Sequence, residues 1–367
     1  MSFRNSLTSK VAKIIETKKS YSAYKSQLDD FRRLPHTKLT AEDKDEIRKV
    51  WGEVIPKVSL GYEYFEVFKN RTDGVLNPFF TPTSYLFPTI SRCLNPLKYI
   101  NALSYKGLYP TLFEGFKQAV PVIQCENAII TDAQRHIVTL SEAVEIIKSN
   151  SKPLIIKAST DTSGGRGVHR IDVKDSKALD NLLRSAGKDY VVQEFVNGSH
   201  ELRKLNPYSL STMRIMTLAM NGRITIHPSM LRIGGSKNTL VDNISSGGSC
   251  VGIMSDGILA SHSYAYSGEL LESANGHKFS DFKIPNFEEI KKFAIALHTR
   301  IPMCAIAGWD ISLDEFNNPI LIEVNLNWPS TFPQLCCGEP AFGDRTPEII
   351  DYIKTVKKKN PFYFIIK

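Results

Sequence analysis

Beyond residue 153 the apolar positions come in short runs separated by polar and glycine-bearing breaks. LIIKAS, VHRIDV, YVVQEF, MRIMTLAM and RITIHPSMLRI each read as a strand, and a final hairpin closes with ILIEVN. Segments 176–186 and 287–299 follow the helical period instead. Upstream, residues 1–60 are polar with helical spacing. Their clearest helix is LTAEDKDEIRKVWGEV, with Thr40 as N-cap and acidic residues in the first turn. From about 71 to 100 the text becomes rich in proline and aromatics (NPFFTPTSYLFPTISRCLNP), which predicts an irregular connection packed on a domain. A helix near 106–118, strands VPVIQ and AIIT, and a helix at 141–149 follow. Strands and helices mixed in both orders predict an α+β fold with antiparallel sheets rather than a doubly wound one.

The last hairpin carries the clearest chemistry. In GWDISLDEFNNPILIEVNLNW, Asp310 follows the apolar run IPMCAIAG, and the tip DEFNNP is a turn signal. Period two puts Glu323 and Asn325 on one face of the returning strand and Val324 on the other. Two carboxylates and an amide oxygen are hard ligands, suited to Mg²⁺ that also holds substrate phosphates. A half-buried hairpin with polar rims accounts for the triplet equally well.

Three further features bear on that choice. PLIIKASTDTSGGRGV reads as a strand delivering Lys157 into a loop of small residues, including Ser163, Gly164, Gly165 and Gly167. Such a loop exposes backbone N–H groups to phosphate, and the lysine adds a point charge. It is neither a P-loop nor GxGxxG, and a Gly-rich hairpin turn explains it as well. Next, Arg214 and Arg232 sit on successive predicted strands joined by Asn221-Gly222, a strong two-residue turn, so both can converge on one anionic site. Asn243 and Gly247-Gly248 then begin another loop.

Composition narrows the classes. The 367 residues suffice for two or three subdomains, and the net charge of +8 suits anionic partners. No apolar run approaches the ~20 residues of a spanning helix. The N-terminus is basic but lacks the apolar stretch of a secretory signal. Six cysteines without CxxC or zinc spacing predict reduced thiols in a cytosolic compartment, and eight histidines show no HxH or HExxH. Dispersed lysines without an aromatic-interleaved basic stripe argue against nucleic acid. The tail TPEIIDYIKTVKKKNPFYFIIK either grazes an anionic membrane surface or docks on the domain, and docking is the commoner outcome.

Taken in order, these pieces resemble the ATP-grasp superfamily. The order is an early lysine, Lys157 with its small-residue loop, a hinge strand, the series Arg214, Arg232, Asn243 and Gly247-Gly248, then Asp310 and Glu323-x-Asn325. The middle run is similar to glutathione synthetase and the ribosomal-protein glutamate ligases. From about residue 38 to 350 the chain resembles the sugar-transfer-associated ATP-grasp family, found with polysaccharide-biosynthesis genes. The resemblance implies two α+β subdomains clamping ATP behind a helical N-terminal region. The expected boundaries are 1–95 for that region and its connection, 96–152 for a first α/β subdomain and 153–200 for the small subdomain with its glycine-rich lid. The large subdomain with the metal site would span 201–350, and a basic, aromatic tail 351–367.

Residue by residue, it implies that Lys106 and Lys157 bind ATP phosphates under the loop of Ser163, Gly164, Gly165 and Gly167. Gln193, Glu194 and Phe195 would form the adenine edge, with the backbone of Gln193 and Glu194 pairing the base, and Glu201 or His200 would reach the ribose. Asp310, Glu323 and Asn325 would hold two Mg²⁺ ions, or Mn²⁺. Arg214, Arg232 and Asn243 would steady the γ-phosphate and the acceptor carboxylate. Two departures stand out. Tyr105 replaces the aspartate that usually precedes the first lysine, and Gly308 occupies a position where many relatives carry an arginine, a role for which Arg232 is the candidate.

The implied reaction is ATP-dependent carboxylate–amine ligation through an acyl phosphate, in the cytoplasm or peripherally at the inner face of the membrane. The acid would be a uronic or similar sugar acid, small or carried on a sugar nucleotide or lipid. The amine would be an amino acid or small amine, and the product part of capsule, O-antigen or exopolysaccharide. Tyr264, Tyr266 and Trp328 are either sugar-contacting or core aromatics. An ATP-dependent phosphotransferase and a non-catalytic nucleotide-binding subunit of a glycan assembly complex are the alternatives.

Overall fold

The computed structural model describes residues 10–19, 21–22, 25, 31–56, 60–159, 168–172, 175–235, 242, 247–265, 268–327 and 332–360. Among the described residues, the N-terminal polar text is helical at 10–19 and 41–51. Helix α1 (Ala41–Trp51) opens on a capping box, in which Thr40 Oγ1 accepts from the Asp43 N–H and the Asp43 carboxylate accepts from the Thr40 N–H. Helix α2 (Tyr62–Arg71) follows, and Ile47, Trp51, Phe65 and Phe68 of the pair are fully buried. The proline-rich connection has more structure than its text suggests, with a π-helical turn at Leu86–Ser91 and helix α3 at Leu97–Leu103.

Next comes a five-stranded antiparallel sheet. Its strands are β1 (Pro121–Glu126), β2 (Ile129–Asp132), β3 (Leu154–Ala158), β4 (His169–Ile171) and β5 (Tyr190–Glu194), in the order β2-β1-β5-β3-β4. Alternation sends Ile123, Ile156, Tyr190 and Val192 onto helices α4 (Leu140–Ser149) and α5 (Ser176–Ser185), leaving Gln124, Lys157, Val191 and Gln193 for the opposite face. Because β1 pairs with β5, the boundary expected at 152 falls inside this sheet. The helix expected near 106–118 is instead a 3₁₀ turn, Lys106–Leu108, and one α-turn, Tyr109–Leu112. It stops where Phe113 enters the core against Trp309, 5.7 Å between rings, and where the chain turns at Gly115 (φ 84°).

After the short helix α6 (His200–Leu205) comes a seven-stranded sheet. Its strands are β6 (Thr212–Met220), β7 (Arg223–Ile233), β8 (Ser249–Ile253), β9 (Leu259–Ala265), β10 (Leu270–Leu271), β13 (Ile306–Leu313) and β14 (Pro319–Asn325). A separate ribbon joins β11 (Ser273–Ala274) to β12 (His277–Lys278). The large sheet runs β10-β9-β8-β7-β6-β13-β14, and Asn221-Gly222 turns β6 into β7 at φ 52° and 74°. One face, with Met213, Ile215, Trp309, Ile311 and Val324, packs on α7 (Phe287–His298). The other face is divided. Met216, Leu218, Met230, Cys250 and Tyr264 lie in one core with the N-terminal helices, α8 (Phe332–Cys337) and α9 (Thr346–Lys359). The rest of it carries the polar residues of the hairpin.

Helix α9 crosses the boundary expected at 350. It buries Ile349, Ile350 and Ile353 and pairs Lys357 with Glu16 at 2.7 Å, so this part of the tail docks on the N-terminal layer. Residues 361–367 lie outside the described residues. No helix among the described residues is long and apolar enough to cross a membrane. Asn95 fastens the connection to the hairpin: its amide nitrogen donates to Ile306 O and Leu326 O, and its oxygen accepts from the Ile306 N–H. Asn95→Ala leaves those buried backbone groups unpaired and is expected to cost about 3 kcal/mol. The denaturant midpoint should fall accordingly, and an unchanged midpoint would contradict the anchoring role.

Candidate functional site

Strand register brings the hairpin triplet together. Asp310 lies opposite Glu323 on one side and Arg214 on the other, and Gly308 lies opposite Asn325. Asp310 is buried, and its oxygens accept from Arg214 Nε (2.6 Å) and Nη2 (3.2 Å), Arg232 Nη2 (2.7 Å) and Asn325 Nδ2 (3.2 Å). Burial acts to raise the Asp310 carboxyl, but the two guanidinium groups hold it below the usual carboxylate range. Arg232 also donates to Thr212 Oγ1 at 2.9 and 2.7 Å and stands 3.6 Å from Asp242. Burial works against the charge on Arg232, yet Asp242 and Asp310 raise its pKa above the ordinary value. Burial pushes the Asp242 carboxyl up despite Arg232. Both arginines therefore converge on one carboxylate of the protein itself, Asp310.

Gly308 has a structural consequence. A Cβ there would stand 3.0 Å from Arg214 Cδ, so the missing side chain is the space through which Arg214 reaches Asp310. The side chain over position 308 is thus that of Arg214, and not Arg232, which approaches Asp310 from β7.

A second charge cluster faces the first sheet. Lys106 Nζ lies 3.0 Å from Glu323 Oε1, with the lysine side chain 8% exposed and the glutamate 30%. Lys157 is buried beside them. Loss of water, then the charge of Lys106, depresses its ammonium to about 8, and Glu323 acts in the opposite direction. Tyr105, in place of the usual aspartate, points its hydroxyl at Asp189 (3.3 Å), and burial raises the phenol to about 12. Tyr109, which sequence reasoning passed over, holds strand β14. Its hydroxyl accepts from the Val324 N–H at 3.2 Å and faces Val324 O at 3.4 Å. Only its place directly after the lysine turn could have flagged it.

The cleft runs between the two sheets. Its narrow end is lined by Lys106, Gln124, Lys157, Gln193, Leu321 and Ile322. At the hinge a cavity of about 260 Å³ is bounded by Arg170, Phe195, Val196, Asn197, Arg203, Ser211 and Ser312, with Arg170 stacked over Phe195 at 5.6 Å. Gln193 therefore faces the cleft. The Glu194 side chain turns out to Lys152 (2.7 Å), its N–H donates to Val120 O, and the Phe195 N–H donates to Pro153 O, so both donors are spent within the protein. Glu201 pairs with Lys204 at 2.7 Å on the exposed side of α6, and neither it nor His200 lines the cavity. Ser163, Gly164, Gly165, Gly167, Asn243, Tyr266 and Trp328 lie outside the described residues. Tyr264 is nearly buried at the far edge of the sheet.

Lys157 should titrate near 8 in the free protein. Replacing its cationic neighbour (Lys106→Met) is expected to move it up, and Glu323→Gln to move it down, read by ¹³C NMR of reductively methylated lysines. A Lys157 resonance titrating at the ordinary lysine value, or unmoved by either change, would contradict the cluster.

A family profile described as sugar-transfer associated ATP-grasp matches residues 93–347. No curated protein matches the sequence. Among solved structures, the D-Ala:D-Ser ligase VanG of Enterococcus faecalis is similar at 12% identity and TM-score 0.42, over 69% of this chain and 61% of that one. The biotin carboxylase domain of Hydrogenobacter thermophilus 2-oxoglutarate carboxylase, with MgADP and bicarbonate, is similar at 14% and TM-score 0.43, over 70% and 46%. Aspergillus clavatus N5-carboxyaminoimidazole synthase, with ADP and 5-aminoimidazole ribonucleotide, follows at 12% and TM-score 0.37, over 62% and 46%. The chain spans less than two thirds of the length of each of these proteins. Matched over most of its length by the one family profile, the chain belongs to the sugar-transfer associated ATP-grasp family.

Proposed function

We propose that this protein is an ATP-dependent carboxylate–amine ligase that activates a sugar acid as an acyl phosphate. The observation that carries the reading is a pair of buried lysines in the cleft. Lys106 and Lys157 stand beside Glu323, and burial, then the charge of Lys106, brings the Lys157 ammonium down to about 8. A polyphosphate entering there would offset that charge and raise the Lys157 ammonium again. The hinge cavity beside Phe195 offers room for the base and ribose of the same nucleotide.

The hairpin triplet fits Mg²⁺. Among the described residues no group of three or more His, Cys, Asp or Glu could hold a metal by itself. Glu323 and the Asn325 amide oxygen would supply two ligands beside Asp310, whose own oxygens accept from Arg214, Arg232 and Asn325, and so incomplete a set suits an ion that keeps waters and takes phosphate oxygens. Bound there, as two ions or with Mn²⁺ in their place, the metal would neutralise charge on the transferring phosphoryl group. Arg214 and Arg232 each spend Nε and Nη2 within the site, which leaves Nη1 for the γ-phosphate and the acceptor carboxylate. In the reaction a carboxylate oxygen of the acceptor attacks the γ-phosphorus and ADP leaves. The amine nitrogen then attacks the acyl carbon, phosphate departs, and the nitrogen gives up its proton. Positioning and charge do this work, with no protein nucleophile.

The family's association with sugar transfer supports a sugar acid as acceptor and an amino acid or small amine as its partner. Use of ATP agrees with a cytoplasmic reaction. Phosphate release from Mg-ATP across sugar acids and amines, with mass spectrometry of the products, tests the proposal. A new amide mass with phosphate is expected, whereas a phosphorylated acid that survives added amine would replace the ligase with a phosphotransferase. Glu323→Ala should keep the wild-type circular dichroism and lose ATP consumption, and normal turnover in that variant would remove the metal assignment.

A further inference from the structure

A second groove lies far from the cleft, between the C-terminal end of α2 and the edge strands β9 and β10. It encloses about 380 Å³ and is lined by Asn70, Arg71, Asp73, Ser261, His262 and Tyr264, a volume within the range of small-molecule pockets. Strand β9 stands four places from β13 in the order β9-β8-β7-β6-β13, or about 19 Å at the usual strand spacing. Helix α8 packs on the sheet between them, over β7, β8 and β9. The groove is therefore not an extension of the nucleotide site.

Arg71 carries the inference. Its Nε and Nη2 donate to Leu335 O (3.2 Å) and Cys336 O (3.1 Å) in α8, which fixes the plane of the guanidinium and leaves Nη1 uncommitted among the described residues. Carbonyl oxygens orient this charge but do not neutralise it, and among the described residues no carboxylate, Asp73 included, pairs with it. A half-buried, preoriented guanidinium of this kind selects a carboxylate or phosphate. Around it stand groups that read hydroxyls. Asn70 spends its nitrogen on Thr37 (3.1 Å) and keeps its oxygen, Asp73 is exposed beyond the helix end, and His262 sets Nδ1 against Ser261 Oγ at 2.8 Å and Nε2 3.5 Å from Glu272 Oε1. Tyr264, only 6% exposed, closes the floor of the groove.

We propose that this groove is a binding site for an acidic saccharide, with its anionic group on Arg71 and its hydroxyls on Asn70, Asp73 and His262. It goes beyond the ligase reading, and its test needs no turnover. Saturation-transfer NMR on the full chain, without ATP, would use glucuronic acid, glucose 1-phosphate, glucose and inorganic phosphate as probes. The two acidic sugars should bind, with glucose about tenfold weaker for want of the charge-assisted contact. Asn70→Ala and His262→Ala should each weaken the acidic sugars severalfold, and Arg71→Lys, which keeps the charge but not the fork, should do so too. Equal binding of glucose, binding of inorganic phosphate without the sugars, or indifference to the groove substitutions would each overturn the proposal.

Discussion

The buried carboxylate of Asp310 is the constraint around which the large sheet is organised. An ionised group out of water costs several kcal/mol unless other groups neutralise and solvate it. Here Arg214 from β6, Arg232 from β7 and Asn325 from β14 supply that environment from three different strands. Their convergence requires the registers that set Asp310 opposite both Arg214 and Glu323, since a slip of one residue would turn each side chain to the other face. Gly308 belongs to the same arrangement. A side chain there would press on Arg214, so the glycine and the arginine on the neighbouring strand are two halves of one packing solution.

Two charge clusters then divide the labour. Around Asp310, two arginines meet Asp310 and Asp242, and the charges balance without a ligand. Across the cleft, Lys106 and Lys157 are buried together beside Glu323, and burial, then the charge of Lys106, depresses the Lys157 ammonium. The first cluster holds its arginines in place through Nε and Nη2, and the second suits an incoming anion. Glu323 faces the second cluster while sharing a strand with Asn325 of the first, which makes β14 the element coupling the two. That strand is fastened by the Tyr109 hydroxyl on Val324 and by the Leu321 N–H on Lys117 O.

Much of this was legible in the sequence because it is local. Period two on PILIEVN separated Glu323 and Asn325 from Val324, and Asn221-Gly222 announced the turn that brings Arg214 and Arg232 together. Thr40 announced the capping box of α1. What stayed hidden depends on burial and distant pairing. Strands β8 and β9 are short and carry Ser, Gly and His, so their alternation is faint, and their place is set by pairing with β7. The helix begun at Tyr109 stops early because Phe113 is needed in the core. Glu201 has the spacing of a ligand contact, yet on α6 it pairs with Lys204 on the exposed side. Asp242, a partner of Arg232 and Thr212, has no local signature at all.

The central claim is that Glu323 belongs to a metal site that reads ATP together with the two lysines. Calorimetric titration of ATP with and without Mg²⁺, on the wild type and Glu323→Gln, tests it without knowledge of the acceptor. The expected result is that Mg²⁺ strengthens ATP binding to the wild type and no longer does so in the variant, while metal-free ATP binds the variant at least as well. Equal strengthening by Mg²⁺ in both proteins would contradict it.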